Sequence, residues 1–220
     1  MDQGDVAQRA RRHAALGDPL RLAIVDALFS ADRSPAELAR LVGVGSNLLA
    51  HHLDVLDEVG LIQRTRSSGD GRRRYVRLLA DRLPRPEPVH HLRLGPALFV
   101  CTHNAARSQL AAALWRELTG KPARSAGTEP AAYVHPGTLA AAARHGLDLT
   151  DARPCDLRSL RRLPRLIITV CDRAHETLEP SPQWLHWSIP DPLPGAAARD
   201  FDAVVAELRR RIITLSNPGS

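Results

Sequence analysis

Two domains of different class are predicted in this 220-residue chain: a mainly α-helical winged helix-turn-helix over residues 1–82, and an α/β domain with a parallel sheet over residues 97–220. Three observations predict them. Residues 18–60 carry the start and stop signals of short helices and run into an arginine-rich hairpin. Residues 83–96 hold four prolines, which donate no backbone hydrogen bond and disfavour helix before them, so this stretch reads as a semi-rigid linker. From residue 97 onward short apolar strands alternate with helical patterns, the mark of a parallel sheet covered on both faces.

In the first domain Asp18-Pro19 is an N-cap followed by proline at the first helical position, and Leu20, Ile24, Val25 and Leu28 form the apolar stripe behind it. Ser34-Pro35-Ala36-Glu37 is a capping box that opens a short helix through Leu38 and Leu41. Gly43-Val44-Gly45 turns the chain into a further helix from about Ser46 to Val59, which Gly60 ends. Its core face carries Leu49, Leu53 and Leu56; His52 flanks that face, and Ser46, Asn47, Ala50, His51 and Asp54 project outward. The segments 61–66 and 72–79 form a hairpin around Ser67-Ser68-Gly69-Asp70-Gly71. The second helix of such a pair is the one that enters a major groove. Wing arginines, Arg72, Arg73 and Arg74 among them, would meet phosphates or a minor groove. A plain amphipathic helix beside a solvated basic hairpin fits the same residues.

In the second domain the strands are predicted at 97–100, near 123–126 and at 166–171, with a further segment around 187–189; the helices are at 108–118 and 137–145, and a last one carries Phe201, Val204, Val205, Leu208 and Ile212. Between the first strand and first helix lies Cys101-Thr102-His103-Asn104-Ala105-Ala106-Arg107-Ser108. A loop of this length wraps backbone N–H groups around a tetrahedral oxyanion, and the helix behind it adds positive potential. Arg107 supplies a planar fork matched to two oxygens. Asn104 tolerates the left-handed backbone that a tight loop requires. A helix N-terminus, a guanidinium and a hydroxyl favour thiolate, and such settings lower a thiol pKa from about 8.5 to roughly 3.5–7.5, so Cys101 is expected to be a nucleophile at neutral pH. Ligands in such folds sit at the carboxyl ends of strands, where this loop lies.

The net charge is +6, yet only Lys121 among thirty basic residues is lysine, so the location of charge says more than its total. Residues 64–77 hold six arginines against one aspartate, a concentration that points to a polyanion. Three distant cysteines form no disulfide framework and fit a reducing cytosol. No apolar run approaches the roughly 20 residues that span a bilayer, and no signal-peptide core opens the chain, so a cytoplasmic protein without a membrane partner is expected.

Residues 10–79, through Leu16-Gly-Asp-Pro-Leu-Arg-Leu and Ala50-His-His-Leu-Asp-Val-Leu, resemble the ArsR/SmtB repressors. The resemblance implies double-stranded operator DNA as partner and a homodimer. The family's thiol-based metalloid sensors carry a Cys-x-Cys element at the short helix; Glu37 to Leu41 contains no cysteine, and no metal site is expected. Pro84, Pro86 and Pro88 argue against the family's last helix, which leaves residues 5–15 or the second domain to dimerise; His90-His91 reads as solvated linker.

Residues 97–215 resemble the low-molecular-weight protein tyrosine phosphatases and the arsenate reductases of the same fold, through the Cys101 loop, Ser125-Ala-Gly-Thr and Asp191-Pro192. The resemblance makes Asp191 the general acid, although Asp-Pro is also a common turn pair. A phosphatase hydrolyses its phosphocysteine, whereas a reductase needs a second thiol. Thioredoxin-coupled reductases carry two further cysteines about seven residues apart; Cys171 matches the first and Leu178 stands in the second place. Cys171 is thus the candidate resolving thiol, and otherwise a small thiol or thioredoxin-type reductant is required, with no bound cofactor. Small Ala105 and Ala106, and Leu193 after the late Asp-Pro, suit a free phosphate- or arsenate-type oxyanion better than phosphotyrosine, unless Tyr133 or Trp187 supplies an aromatic wall. Expected overall is a DNA-binding regulator fused to an arsenate reductase-like domain; the alternatives are a tyrosine phosphatase tethered to DNA and a non-catalytic oxyanion-sensing repressor.

Overall fold

The computed structural model describes residues 3–83, 94–178, 180–181, 183–193 and 197–216. The linker prolines 84, 86 and 88 and the His90-His91 pair lie outside the described residues. The chain divides into two compact units, one of residues 1–66 and 71–91, the other of residues 67–70 and 92–216.

The first unit runs α1 (Gln3–Leu16), α2 (Pro19–Phe29), α3 (Pro35–Val42), α4 (Ser46–Glu58), β1 (Ile62–Arg66) and β2 (Arg74–Leu78). Local chemistry sets these boundaries. The Asp18 carboxylate accepts the Leu20 and Arg21 N–H groups at 2.9 Å each, which starts α2. Ser34 and Glu37 form the reciprocal capping box of α3, and Gly43 at φ +69° ends it in the left-handed region that a side chain would strain. Ile24, Val25, Leu28, Leu38, Leu49, Leu53, Leu56, Leu61, Ile62, Val76 and Leu78 close one apolar core. His52 is buried with them, its Nδ1 3.7 Å from the Asp18 carboxylate. The hairpin strands pair antiparallel from Ile62↔Leu78 to Arg66↔Arg74. They are one and three residues shorter than the sequence pattern indicates, and Arg33 adds a bridge to Val76. This unit is a winged helix-turn-helix.

The second unit runs β3 (Ala97–Cys101), α5 (Arg107–Thr119), β4 (Ala123–Gly127), α6 (Pro136–Arg144), β5 (Leu166–Thr169), α7 (Asp172–Leu178), β6 (Leu185–His186) and α8 (Ala198–Ser216). All neighbours in the order β4-β3-β5-β6 pair in parallel. Strand alternation sends Leu98 and Val100 to one face, where they cluster with Ala126 and Ile167 under Leu157, Leu160, Leu178 and Trp184. Phe99 packs its ring edge-on to Trp115 of α5 at 5.7 Å and tilted against Trp187 at 6.0 Å. Three expectations are corrected. The last strand is Leu185–His186 rather than 187–189, because Trp187 leaves the ladder after its N–H reaches the Thr169 carbonyl. The β5 strand stops at Thr169, so Cys171 sits at the turn into α7. That helix is additional to the elements the sequence pattern predicts, since it has no apolar stripe. Among the described residues no helix is long and apolar enough to cross a membrane.

Candidate functional site: the Cys101 loop

The loop leaves the carboxyl end of β3 and ends where α5 begins, at an N-terminus with no side-chain cap. Its own backbone is bound from behind. The carbonyls of Cys101, Thr102 and His103 accept N–H groups from Thr128, Glu129 and Ala131, and the Ala105 carbonyl accepts both the His135 N–H and the Thr138 hydroxyl at 3.0 and 2.9 Å. Gly127 is required here: a Cβ at that position would stand 2.6 Å from the Thr102 carbonyl oxygen. The Ser125-Ala-Gly-Thr element is therefore the backing of the loop.

Asn104 shapes the turn. It is the one non-glycine residue with positive φ (+49°) among the described residues, and it is fully buried. The Cys155 N–H donates to its Oδ1 at 2.8 Å, so Nδ2 faces Ser108 and donates to Oγ at 2.8 Å. The Ser108 hydroxyl in turn lies 3.0 Å from the Cys101 sulfur, within hydrogen-bond distance. The Asn104 N–H also points at that sulfur, at 3.2 Å. Gln109 Nε2 braces the turn by donating to the Asn104 carbonyl at 3.0 Å. Cys155 thus contributes its backbone, while its thiol lies 3.4 Å from the Ser159 hydroxyl.

The expected low thiol pKa is not what the structure gives. Burial, and then the neighbouring Cys171 thiol, push the Cys101 pKa up, against the opposing pull of the Arg107 guanidinium and the Ser108 hydroxyl and amide. Cys101 is only 3% exposed, a depth that loop spacing does not reveal. Cys171 is also buried, its sulfur 3.2 Å from the Thr102 hydroxyl. Leu178 lies at the far end of α7, packed on the Leu98–Val100 cluster.

Arg107 is buried and points across to the segment after β6, donating from Nη1 to the Ile189 carbonyl and from Nη2 to Asp191 Oδ2, both at 3.0 Å. Asp191 Oδ1 also accepts the Leu193 N–H at 3.2 Å, so the turn and the site share one carboxylate. Of the other loop residues, Thr102, Ala105, Ala106 and Ser108 are buried and His103 is exposed. Tyr133 is 68% exposed, whereas Trp187 is buried in the aromatic core and forms no pocket wall. Beside the site Asp172 accepts His186 Nε2–H at 3.1 Å, both side chains buried. Burial opposes Asp172 ionisation, but the His186 hydrogen bond and charge win and hold its pKa low. No sequence signal pairs these two residues.

In the first unit Ser46, Asn47, Ala50 and His51 are all exposed on α4, and Arg72, Arg73 and Arg74 are exposed on the hairpin. Asp54 is exposed too, but forms an ion pair with Arg64 of β1. Among the described residues no group of three or more His, Cys, Asp or Glu side chains is arranged to hold a metal.

The two units thus define a helix-turn-helix domain joined to an α/β domain built around a cysteine loop. Residues 16–65 match the helix-turn-helix domain family, and residues 97–217 match the low molecular weight phosphotyrosine protein phosphatase family. Through that larger half the chain belongs to the low molecular weight phosphatase family. It is similar to an arsenate reductase of Bacillus cereus (strain 03BB102), 31% identical over 128 residues that cover 55% of this chain and 93% of the relative. An arsenate reductase of Brevibacillus brevis is likewise 31% identical, over 127 residues with the same coverage. Among solved structures, an arsenate reductase from Archaeoglobus fulgidus is 30% identical with a TM-score of 0.49, covering 55% of this chain and 98% of that one.

Proposed function

We propose that the chain is a DNA-binding regulator whose α/β unit binds an arsenate-type oxyanion and reduces it through Cys101. The observation that carries the chemistry is the Cys101 sulfur lying 3.0 Å from the Ser108 hydroxyl and receiving the Asn104 N–H at the mouth of an uncapped helix. The thiol attacks dihydrogen arsenate; an S–As bond forms, an As–O bond breaks, and the thiol proton leaves with that oxygen as water. Asp191, oriented by Arg107, is the group for relaying that proton. The loop amides, the uncapped N-terminus of α5 and the further donors of Arg107 stabilise the developing charge. A second thiol, Cys171, then attacks the Cys101 sulfur: an S–S bond forms, the S–As bond breaks with its electron pair on arsenic, the Cys171 thiol proton passes to an arsenic oxygen, and arsenic, reduced from V to III, leaves as arsenite. With Leu178 in place of a further relay cysteine, the Cys101–Cys171 disulfide is opened by an external small thiol or a thioredoxin-type protein.

The test is arsenite release from arsenate with thioredoxin and with small thiols as donors. Cys101→Ser is expected to abolish turnover. Cys171→Ser is expected to abolish it with thioredoxin and to leave a residual rate with small thiols. No turnover with any donor overturns the reductase reading. Efficient hydrolysis of p-nitrophenyl phosphate without arsenite release selects the phosphatase instead.

The DNA side rests on the outward Ser46, Asn47, Ala50 and His51 and on Arg72, Arg73 and Arg74. A homodimer would read two half-sites about one helical turn apart. Neutralising the three wing arginines is expected to lower the slope of log K against log salt by roughly 0.9 for each phosphate an arginine no longer meets. Footprinting on a palindromic operator checks the half-site spacing, and a single half-site protected at saturation would contradict the dimer.

A further inference from the structure

We infer that one face of the α/β unit is a second contact for the phosphate backbone of duplex DNA, an inference that rests on the DNA-binding reading above. Leu98, Val100, Ala126 and Ile167 share one side of the sheet. Arg124 stands two residues before Ala126 on the edge strand β4, in register with Leu98, so it emerges on that same side. The segment 153–165 crosses over this face. It is anchored by the Gly127↔Asp156 bridge and turns Leu157 and Leu160 into the cluster. Its five arginines, Arg153, Arg158, Arg161, Arg162 and Arg165, all remain exposed, against the single acid Asp156. Alongside, Arg116, Arg124 and Arg153 border an open depression of about 360 Å³ that also takes in Asp148 and Asp151.

Pairing separates this patch from the arginine-rich composition of the whole chain. On the α8 side of the unit arginines are matched to acids: Arg144 to Asp202 at 2.7 Å, Arg209 to Glu117 at 3.1 Å and Arg210 to Glu207 at 2.9 Å. Among the described residues Arg124, Arg161, Arg162 and Arg165 have no acid partner. Unmatched guanidinium groups repel one another and draw a polyanion, and their planar forks fit phosphate oxygens. Residues 148–165 contain no aromatic side chain on which an unpaired base could stack, which favours the duplex backbone over a single strand. A helix-turn-helix in the same chain brings such a duplex to high effective concentration.

The experiment is a salt titration of the full chain on a duplex of arbitrary sequence, comparing wild type, Arg161→Gln/Arg162→Gln/Arg165→Gln, and Arg209→Gln as a paired-arginine control. The triple variant is expected to lower the slope of log K against log salt by roughly 2 to 3, at about 0.9 per phosphate neutralised, with the control unchanged. Arg124→Gln alone is expected to lower it by about 1. A wild-type slope in both patch variants overturns the inference and leaves the winged helix as the DNA contact. An unchanged DNA slope with weakened binding of an acidic thioredoxin-type protein also overturns it, and assigns the face to protein docking. Wild type that fails to bind duplex at all removes the DNA-binding reading itself, and this inference with it.

Discussion

At the residue scale the site is a chain of polar contacts ending on one sulfur. Asn104 holds Ser108, Ser108 faces Cys101, and Cys155 and Gln109 hold Asn104 from behind. Because burial and Cys171 raise the Cys101 pKa, alkylation by iodoacetamide is expected to be slow at neutral pH and to reach half its maximal rate only above pH ~8.5, the midpoint for a free thiol. Ser108→Ala removes a downward influence and is expected to move that profile to higher pH; a plateau below pH 7 in the wild type would contradict this account. Gly127→Ala drives a methyl group into the Thr102 carbonyl, and a displacement near 1 Å in such a loop costs on the order of 100-fold in turnover. Circular dichroism of that variant should remain native. The shape of the loop is legible in the sequence because covalent spacing places it between a strand and a helix: Asn104 takes the left-handed turn, and Ser108 comes back beside Cys101. The direction of the thiol pKa is not, since it depends on depth and on a cysteine seventy positions away.

At the element scale, caps are the dependable signals. Asp18, Ser34 with Glu37, and Gly43 all act as their sequence neighbourhood indicates, because a cap is a contact between residues three apart. Ser34→Ala is expected to cost about 1 kcal/mol, read as a lower melting temperature of the helical unit. The helix α7 is invisible to pattern reading because Asp-Arg-Ala-His-Glu-Thr-Leu has no apolar periodicity; it is held instead by Asp172 on His186 of the neighbouring strand. That pair makes an acid-sensitive element. The Asp172 carboxyl is held below its unfolded range, so its stabilisation is full above pH ~4, the ordinary carboxylate value, and is lost as pH falls through the lower folded value. Asp172→Asn is expected to be destabilised at pH 7 by about 1–3 kcal/mol and to lose that part of the acid dependence, as urea titrations at pH 3 and 7 would show.

At the scale of the whole molecule, the order of signals along the chain points to two units: capped helices and a basic hairpin before the prolines, alternating strands and helices after them. What composition cannot supply is the pairing of charges. Twenty-nine arginines look alike in a sequence, and only the fold separates those bound to carboxylates from those left facing solvent. The aromatic residues are divided as unevenly as the charges. All three tryptophans, Trp115, Trp184 and Trp187, belong to the α/β unit, and two of them flank Phe99 in its core. Tryptophan emission is therefore an optical signal from one half of the chain. Excited selectively at its tryptophans, the protein reports the melting of the sheet around Cys101 and stays silent about the helix-turn-helix unit, which far-ultraviolet dichroism must follow separately.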